Sequence, residues 1–440
     1  MDPRVAALAL VMQLLSFALL LPPLVGAWLS LVGYVSGTVF GWGFSAASDA
    51  VALVLAVITL QVVRVSVRSR GRVDRAPRWS RWVVLLALLA LACVLALDLR
   101  AAPHGAGDAI AIWNLRAKFI ASLWPDTSSV LADGQHHVDY PLLLPLAVGR
   151  LWSVTGTGVT AAWVPIVVAL SFFTATCWLV FRTLWLAGAS RVAPLAVVAL
   201  CLGSFWSTSA KDQMADLPLS LWMLWSASLV IVPAKPSRSA MVSAGLLAGF
   251  AAWTKNEGLA FVAVLGLVLL VSPATRRRFW DYALGLAMPL AVLAHFKLVV
   301  VPRGNDLLTN TASLWSKLCD MDRYRLVLGR MAETMIEHAL LPMLVLVLFA
   351  CYERARREPS SSLESRASDG PPARAGIALI LVAAQLSGYL MVYVGLSAGL
   401  AWHVDTSLER LVSHVWPLLV VAVALLCPVR AAKTTAAAHP

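Results

Sequence analysis

The sequence predicts an all-α, polytopic transmembrane helix bundle, and three observations carry that prediction. Hydrophobic residues make up 60% of the chain and charged residues 13%, whereas a soluble domain covers its surface with about 25% charged residues. The mean hydropathy is +0.79, gathered into apolar runs of roughly 20 residues, the length that crosses a hydrocarbon core about 30 Å thick. No run shows the two-residue alternation of a membrane barrel, so backbone hydrogen bonds must close within helices.

The runs lie near 6–30, 48–66, 82–99, 160–182, 192–208, 217–233, 239–253, 258–272, 280–301, 334–351, 375–397 and 410–428, which makes about twelve spans. The first follows a single Arg4 and leads into no cleavage site, so it reads as a retained span; Pro22-Pro23 interrupts it. Several later runs are short for a crossing and read as helices buried within the bundle or bent near its outer face. The chain divides into N-terminal spans with a basic loop (1–81), a membrane core (82–301), and an outer loop, further spans and a tail (302–440).

Charge sets the orientation. The net charge of +12 resides in short loops between apolar runs and forms no single face, which argues against a nucleic-acid partner. With the N-terminus inside, the cytoplasm receives Arg64 to Arg81, Arg276 to Arg278, Arg354 to Arg374 and the tail with Arg430 and Lys433. Every basic cluster then obeys the positive-inside rule. Glu358 to Ala373, rich in Ser, Pro and acidic residues, reads as a cytoplasmic linker. Of six cysteines, Cys93, Cys177, Cys201 and Cys427 fall in apolar runs, Cys351 at the edge of one and Cys319 in an outer loop, so no disulfide framework is implied.

The same alternation sends five segments to the outer face: Arg100 to Tyr140, Lys211 to Asp216, Trp253 to Glu257, Val301 to His338 and Ser397 to Glu409. Their convergence is the physical argument for a site. In the first, the run from Asp108 to Phe119 fits a helix lying along the interface, with Trp113 and Trp124 at headgroup depth. Asn114 and Lys118 share one face, as do Ile112 and Arg116. A basic, aromatic helix of this kind suits a lipid phosphate.

Asp108 follows a glycine and precedes a helical run, so it is either an N-cap or a general base for an attacking hydroxyl or amine. His136-His137-Val-Asp139-Tyr140-Pro141 closes the loop. It reads as a polar pre-proline turn before a helix, or as part of an incomplete metal set. Asp212 and Asp216 are one helical turn apart and could face the same way beside Lys211, although Asp216 could equally cap a helix that has Pro218 in its first turn.

Lys255, Asn256 and Glu257 put ionisable groups between two apolar runs with barely a loop, where charge is costly and more often functional; a Lys255–Glu257 pair is the plainer alternative. Near the C-terminus come His403, Glu409 and Arg410. Arg410 could clamp a phosphate or simply snorkel to the interface. His295 and Lys297 lie inside a span and either line a cavity or pair with each other.

Taken in order, these pieces resemble the GT-C superfamily of membrane glycosyltransferases, in the branch of protein O-mannosyltransferases and aminoarabinose transferases. Asp108 matches the position of that family's catalytic aspartate, and His136 to Leu142 resembles its loop-closing segment. Asp216-Leu-Pro-Leu matches an aspartate motif that opens a later span, and Gly245 to Gly258 resembles a glycine-rich helix ending in Thr-Lys-Gly. The match covers roughly 82–275 plus Thr406 to Arg410; Ala109, where the family often has a second acid, and the two extra residues in Thr-Lys-Asn-Glu-Gly depart from it.

The resemblance implies a catalytic core at 82–301, a sugar donor on polyprenyl phosphate, an acceptor on the outer face and no cofactor or metal. It implies Asp108 as base, inversion at the anomeric carbon, and a leaving phosphate met by some of Arg116, Lys118, Lys255 and Arg410. Trp113, His137, Asp139, Tyr140, Lys211, Asp212, Asp216, Asn256, Glu257, His403 and Glu409 would complete the substrate site. Membrane lipids are the other partners. Two rival classes stay open: a transporter or flippase, which would need charged or broken helices near mid-membrane, and a non-catalytic envelope scaffold.

Overall fold

The computed structural model describes residues 3–66, 100–131, 137–302, 314–355, 371–395 and 399–426. The apolar run at 82–99, the arginines from Arg68 to Arg81, His136, Cys93, Cys427, residues 356–370 of the linker region and the tail lie outside these. Among the described residues every regular element is helical. The long helices begin with α1 (Pro3–Thr38), which continues through Pro22-Pro23, and α2 (Ala46–Ser66). Neighbouring helices can re-satisfy the backbone groups that a proline frees.

The loop after residue 100 holds a π-turn (Ala109–Trp113), α3 (Asn114–Leu123) and a short turn (Thr127–Val130). Next come α4 (Leu143–Thr155), α5 (Trp163–Leu186), α6 (Ala193–Leu202), α7 (Ser204–Lys211) and α8 (Asp216–Ile231). They are followed by α9 (Arg238–Thr254), α10 (Glu257–Val271) and α11 (Phe279–His295), the last extended by a π-turn (Phe296–Val300). The chain ends on α12 (Met321–Ala355), α13 (Pro371–Gly395) and α14 (Leu400–Leu425). One buried apolar cluster runs from Leu20 to Leu425, so all three sequence segments share a core.

Seven of the described helices are long and apolar enough to cross a membrane, and the pair α6–α7 makes at most eight. The expected twelve are not confirmed: the run at 82–99 lies outside the described residues, and α8 and α10 are apolar but shorter than a crossing. Every residue of α8 is buried, which is how a 16-residue helix survives at the centre of the bundle. The α6–α7 pair bends by 70° at Gly203. A Cβ there would lie 2.5 Å from Trp416 Nε1, and that indole donates to the Leu200 carbonyl at 3.1 Å. The aromatic ring of α14 thus plugs the break.

Helix α4 has no counterpart among the expected spans. It starts where Ser30 Oγ donates to the Leu142 carbonyl at 3.3 Å, and its Arg150 Nε donates to Asp49, at the start of α2, at 2.8 Å. These contacts tie α4 to α1 and α2, and its 13 residues are fewer than a crossing needs. The glycine-rich α9 packs on α11 through a reciprocal contact. A Cβ on Gly245 would collide with the Tyr282 carbonyl oxygen, and one on Gly285 with that of Val242. Small residues let two helices approach this closely where hydrocarbon supplies no hydrophobic drive.

Candidate active site

The loop that carries Asp108 is pinned by its backbone. Gly105 sits at φ +78° with its α-carbon against the Asp212 carbonyl, and the Ala106 N–H donates to that oxygen at 3.4 Å. Gln213 at φ +56° donates from Nε2 to the Pro103 carbonyl at 3.1 Å and accepts from Asn114 Nδ2 at 2.8 Å. Asp212 and Gln213 therefore form the seat of the loop after residue 100. The positive φ at Gln213 also breaks the helix between Asp212 and Asp216, so those two carboxylates do not share a face; Lys211 is the last residue of α7.

Asp108 is not a helix cap: its side chain makes no hydrogen bond to the turn it precedes. It forms an ion pair with Arg410 of α14, and both groups stay partly exposed, at 29% and 27%. Arg410 is also within electrostatic reach of Asp216 and Tyr140.

Behind this pair lies a buried ionic network. Asp216, the first residue of α8 and 1% exposed, accepts from Lys255 Nζ at 2.8 Å and from His414 Nε2. Lys255 also contacts Glu257 at 3.2 Å, so the simple Lys255–Glu257 pair exists but is half of the arrangement. His414 Nδ1 meets the Tyr389 hydroxyl at 3.0 Å. Asp216 Oδ2 and Glu257 Oε2 are buried with no hydrogen-bond partner among the described residues. Burying unpaired charge costs several kcal/mol per ion, so cation and carboxylates are kept together here.

A second cluster adjoins the first. Asn256 Nδ2 donates to Asp139 Oδ2 at 2.7 Å, and Lys297 Nζ contacts the same oxygen at 3.2 Å and Asn256 Oδ1 at 2.8 Å. Lys297 thus pairs with Asp139 rather than with His295, whose Nδ1 meets the Tyr34 hydroxyl at 2.9 Å. His295 instead lines a cavity of about 500 Å³ with Thr38, Ser128 and Pro302.

Several expected ligand-binding residues prove structural. Arg116 is 1% exposed, and its guanidinium donates to the carbonyls of His137 (3.0 Å) and Tyr140 (3.3 Å). Burial lowers its pKa to about 10, opposed by Asp139, so it stays cationic at neutral pH while fastening the 137–142 turn. It does not face a lipid phosphate.

Trp113 and Trp124 are buried at 1% and 9% exposure and do not sit in a headgroup belt. Trp113 stacks on Tyr140 at 5.4 Å, and His137, at φ +52°, stacks on the other side at 4.7 Å. Burial pushes the Tyr140 hydroxyl pKa up, and Glu257 adds to the effect, so it is a neutral hydrogen-bonding group. Lys118 remains half-buried beside His104, whose pKa is lowered by burial first and by Lys118 second.

His403 and Glu409 stand apart from the network. His403 meets Trp402 edge-on at 4.9 Å, and Glu409 points to His338 at 3.3 Å. The residues that sequence reasoning missed are His414 and Tyr389. His414 is one turn beyond Arg410 on the same stripe of α14, and a histidine inside an apolar span was the available signal. Among the described residues no group of three or more His, Cys, Asp and Glu could hold a metal ion. No protein-family model, curated protein or solved structure matches the chain.

Proposed function

We propose that this chain is a glycosyltransferase that moves a sugar from a polyprenyl-phosphate donor to an acceptor on the outer face of the membrane. The observation that carries the reading is the Asp108–Arg410 pair, partly exposed in front of the buried Lys255–Asp216–His414 network. It sets a carboxylate beside a cation at one end of an apolar bundle, with the rest of the network fixing their positions. Outer placement of this end follows from the positive-inside pattern of the loops.

In this reading Asp108 takes the proton of the acceptor hydroxyl or amine as it attacks the anomeric carbon in line. The C–O bond to phosphate breaks, the configuration inverts, and the polyprenyl phosphate leaves. Arg410 meets the developing phosphate charge with a guanidinium suited to two phosphate oxygens, and Lys118 supplies a second, partly exposed cation. Lys255 serves as a positioning residue because its ammonium is committed to two carboxylates. An apolar cavity of about 420 Å³, lined by Trp28, Val32, Val51 and Met288, offers a surface of the kind an isoprenoid chain needs.

The test is mass spectrometry of envelope lipids and glycans from a strain lacking this gene, complemented with wild type or Asp108→Asn at equal membrane levels. The expected result is a sugar restored by wild type and not by the variant. Restoration by both would remove Asp108 from the chemistry. A transporter or flippase is the second reading, favoured by the bent α6–α7 pair; substrate flux across purified vesicles without a new covalent product would establish it instead.

A further inference from the structure

Three side chains from three helices meet at the break between α6 and α7, one of them that of the residue before Arg410. Ser204 is the first residue of α7 and is exposed. Its Oγ lies 2.7 Å from Nδ1 of His338 on α12. Nε2 of His338 lies 3.3 Å from Glu409 Oε1 on α14, with Glu337 at 3.6 Å, and hydrogen-bonds to neither carboxylate. Ser204 donating to Nδ1 leaves the ring proton on Nε2, a tautomer assigned from that one partner, with two carboxylates within ion-pair range. The order is nucleophile, base, and an acid close enough to stabilise the imidazolium that forms. It is the geometric signature of an activated serine, recognised by roles and not by sequence position.

The surroundings complete what such a serine needs. The backbone N–H groups of Ser204 and Phe205 open α7 and have no hydrogen-bond partner among the described residues. Donors on and just after a nucleophile, at the positive end of a helix, suit an oxyanion. Gly203, which admits Trp416, makes the sharp corner that exposes Ser204.

Polarity indicates the substrate. Arg330, Glu333 and Glu337 run along one stripe of α12, and Asp405 and Glu409 run along α14, with Arg330 Nε 3.2 Å from Asp405. Such charges do not face hydrocarbon, so this stripe faces water or headgroups. On the other side of His338 the surface turns apolar, with Leu340, Leu341, Leu344 and Leu202 exposed. Ser204 therefore sits at a polar–apolar boundary, the depth at which the ester carbonyls of membrane lipids lie.

We propose that Ser204, His338 and Glu409 form a second catalytic centre, separate from Asp108, which cleaves acyl esters of membrane lipids. Ser204 Oγ attacks the ester carbonyl carbon while its proton passes to His338 Nδ1. Collapse of the tetrahedral intermediate breaks the C–O bond, and the proton leaves with the alcohol. Water, deprotonated in turn by His338, releases the carboxylic acid and restores the serine.

The experiment is to treat purified full-length protein in lipid nanodiscs with an alkyl fluorophosphonate and map the adducts by peptide mass spectrometry. Hydrolysis of p-nitrophenyl octanoate is followed in parallel. Wild type is expected to carry the adduct at Ser204 and to turn over the ester. Ser204→Ala should lose both, and His338→Gln should slow labelling by about 100-fold, the low end of what general-base assistance supplies, with a smaller loss in Glu409→Gln. Ser207→Ala, one turn on and outside the centre, should label as wild type, and size-exclusion profiles identify any misfolded variant. No adduct at Ser204 in folded wild type, or one that forms at the wild-type rate in folded His338→Gln, would leave a structural polar pair and overturn the proposal.

Discussion

Lys255→Met removes one ammonium and keeps most of the side-chain volume, so it isolates the charge at the centre of the network. Lys255 Nζ stands 2.8 Å from Asp216 Oδ1 and 3.2 Å from Glu257 Oε1, with Asp216 only 1% exposed. At an effective dielectric of about 20, Coulomb's law gives roughly 6 and roughly 5 kcal/mol for those two contacts. The cost of desolvating the ammonium cancels several kcal/mol of that sum, and breaking a buried pair from one side leaves a net loss of about 3–5 kcal/mol. The assay is denaturant or thermal unfolding of the purified protein followed by tryptophan fluorescence, in a double-mutant cycle with Asp216→Asn. Because the asparagine no longer needs a cation, the double variant should recover about 2–3 kcal/mol relative to the sum of the single variants. A Lys255→Met protein within about 0.5 kcal/mol of wild type, or strict additivity in the cycle, would refute the claim that this ammonium compensates the buried carboxylates.

Arg410→Lys keeps the charge opposite Asp108 but loses the planar fork. It should lower kcat/KM for a polyprenyl-phosphate sugar by about 100-fold in a transfer assay while the protein remains folded. Gly285→Ala drives a methyl into the backbone of α9; overpacking of this kind costs about 1–3 kcal/mol or more, read as a lower unfolding midpoint. Gly329→Ala on α12 meets nothing within 4 Å and should be neutral or stabilising by up to about 1 kcal/mol in the same measurement.

How much of this was legible before the fold follows from which interactions are local. The run at 48–66 became Ala46–Ser66 and that at 217–233 became Asp216–Ile231, because apolar stretches between polar ends report where helices lie. Runs near 334–351 and 410–428 marked only the inner parts of Met321–Ala355 and Leu400–Leu425. Hydropathy falls where charges begin, but the helices carry those charges onward. Leu143–Thr155 escaped notice because 13 residues fall short of a crossing.

At the site, the acids and bases were visible as types and not as partners. Arg410 and Asp108 are 302 residues apart, and His414 and Asp216 are 198 apart. Arg116 looked like a surface cation because its four-residue spacing from Ile112 cannot reveal that the π-turn and α3 bury both residues.

The Gly245–Gly285 contact has a mechanical consequence. Lys255 and Asn256 follow α9, Glu257 opens α10 and Lys297 lies just past α11, so the two clusters hang on rods, α9 and α11, that touch through their main chains. Their separation is set by peptide geometry, which neither bilayer thickness nor repacking of neighbouring side chains can stretch. The two rods therefore act as one piece, like the fixed jaw of a calliper.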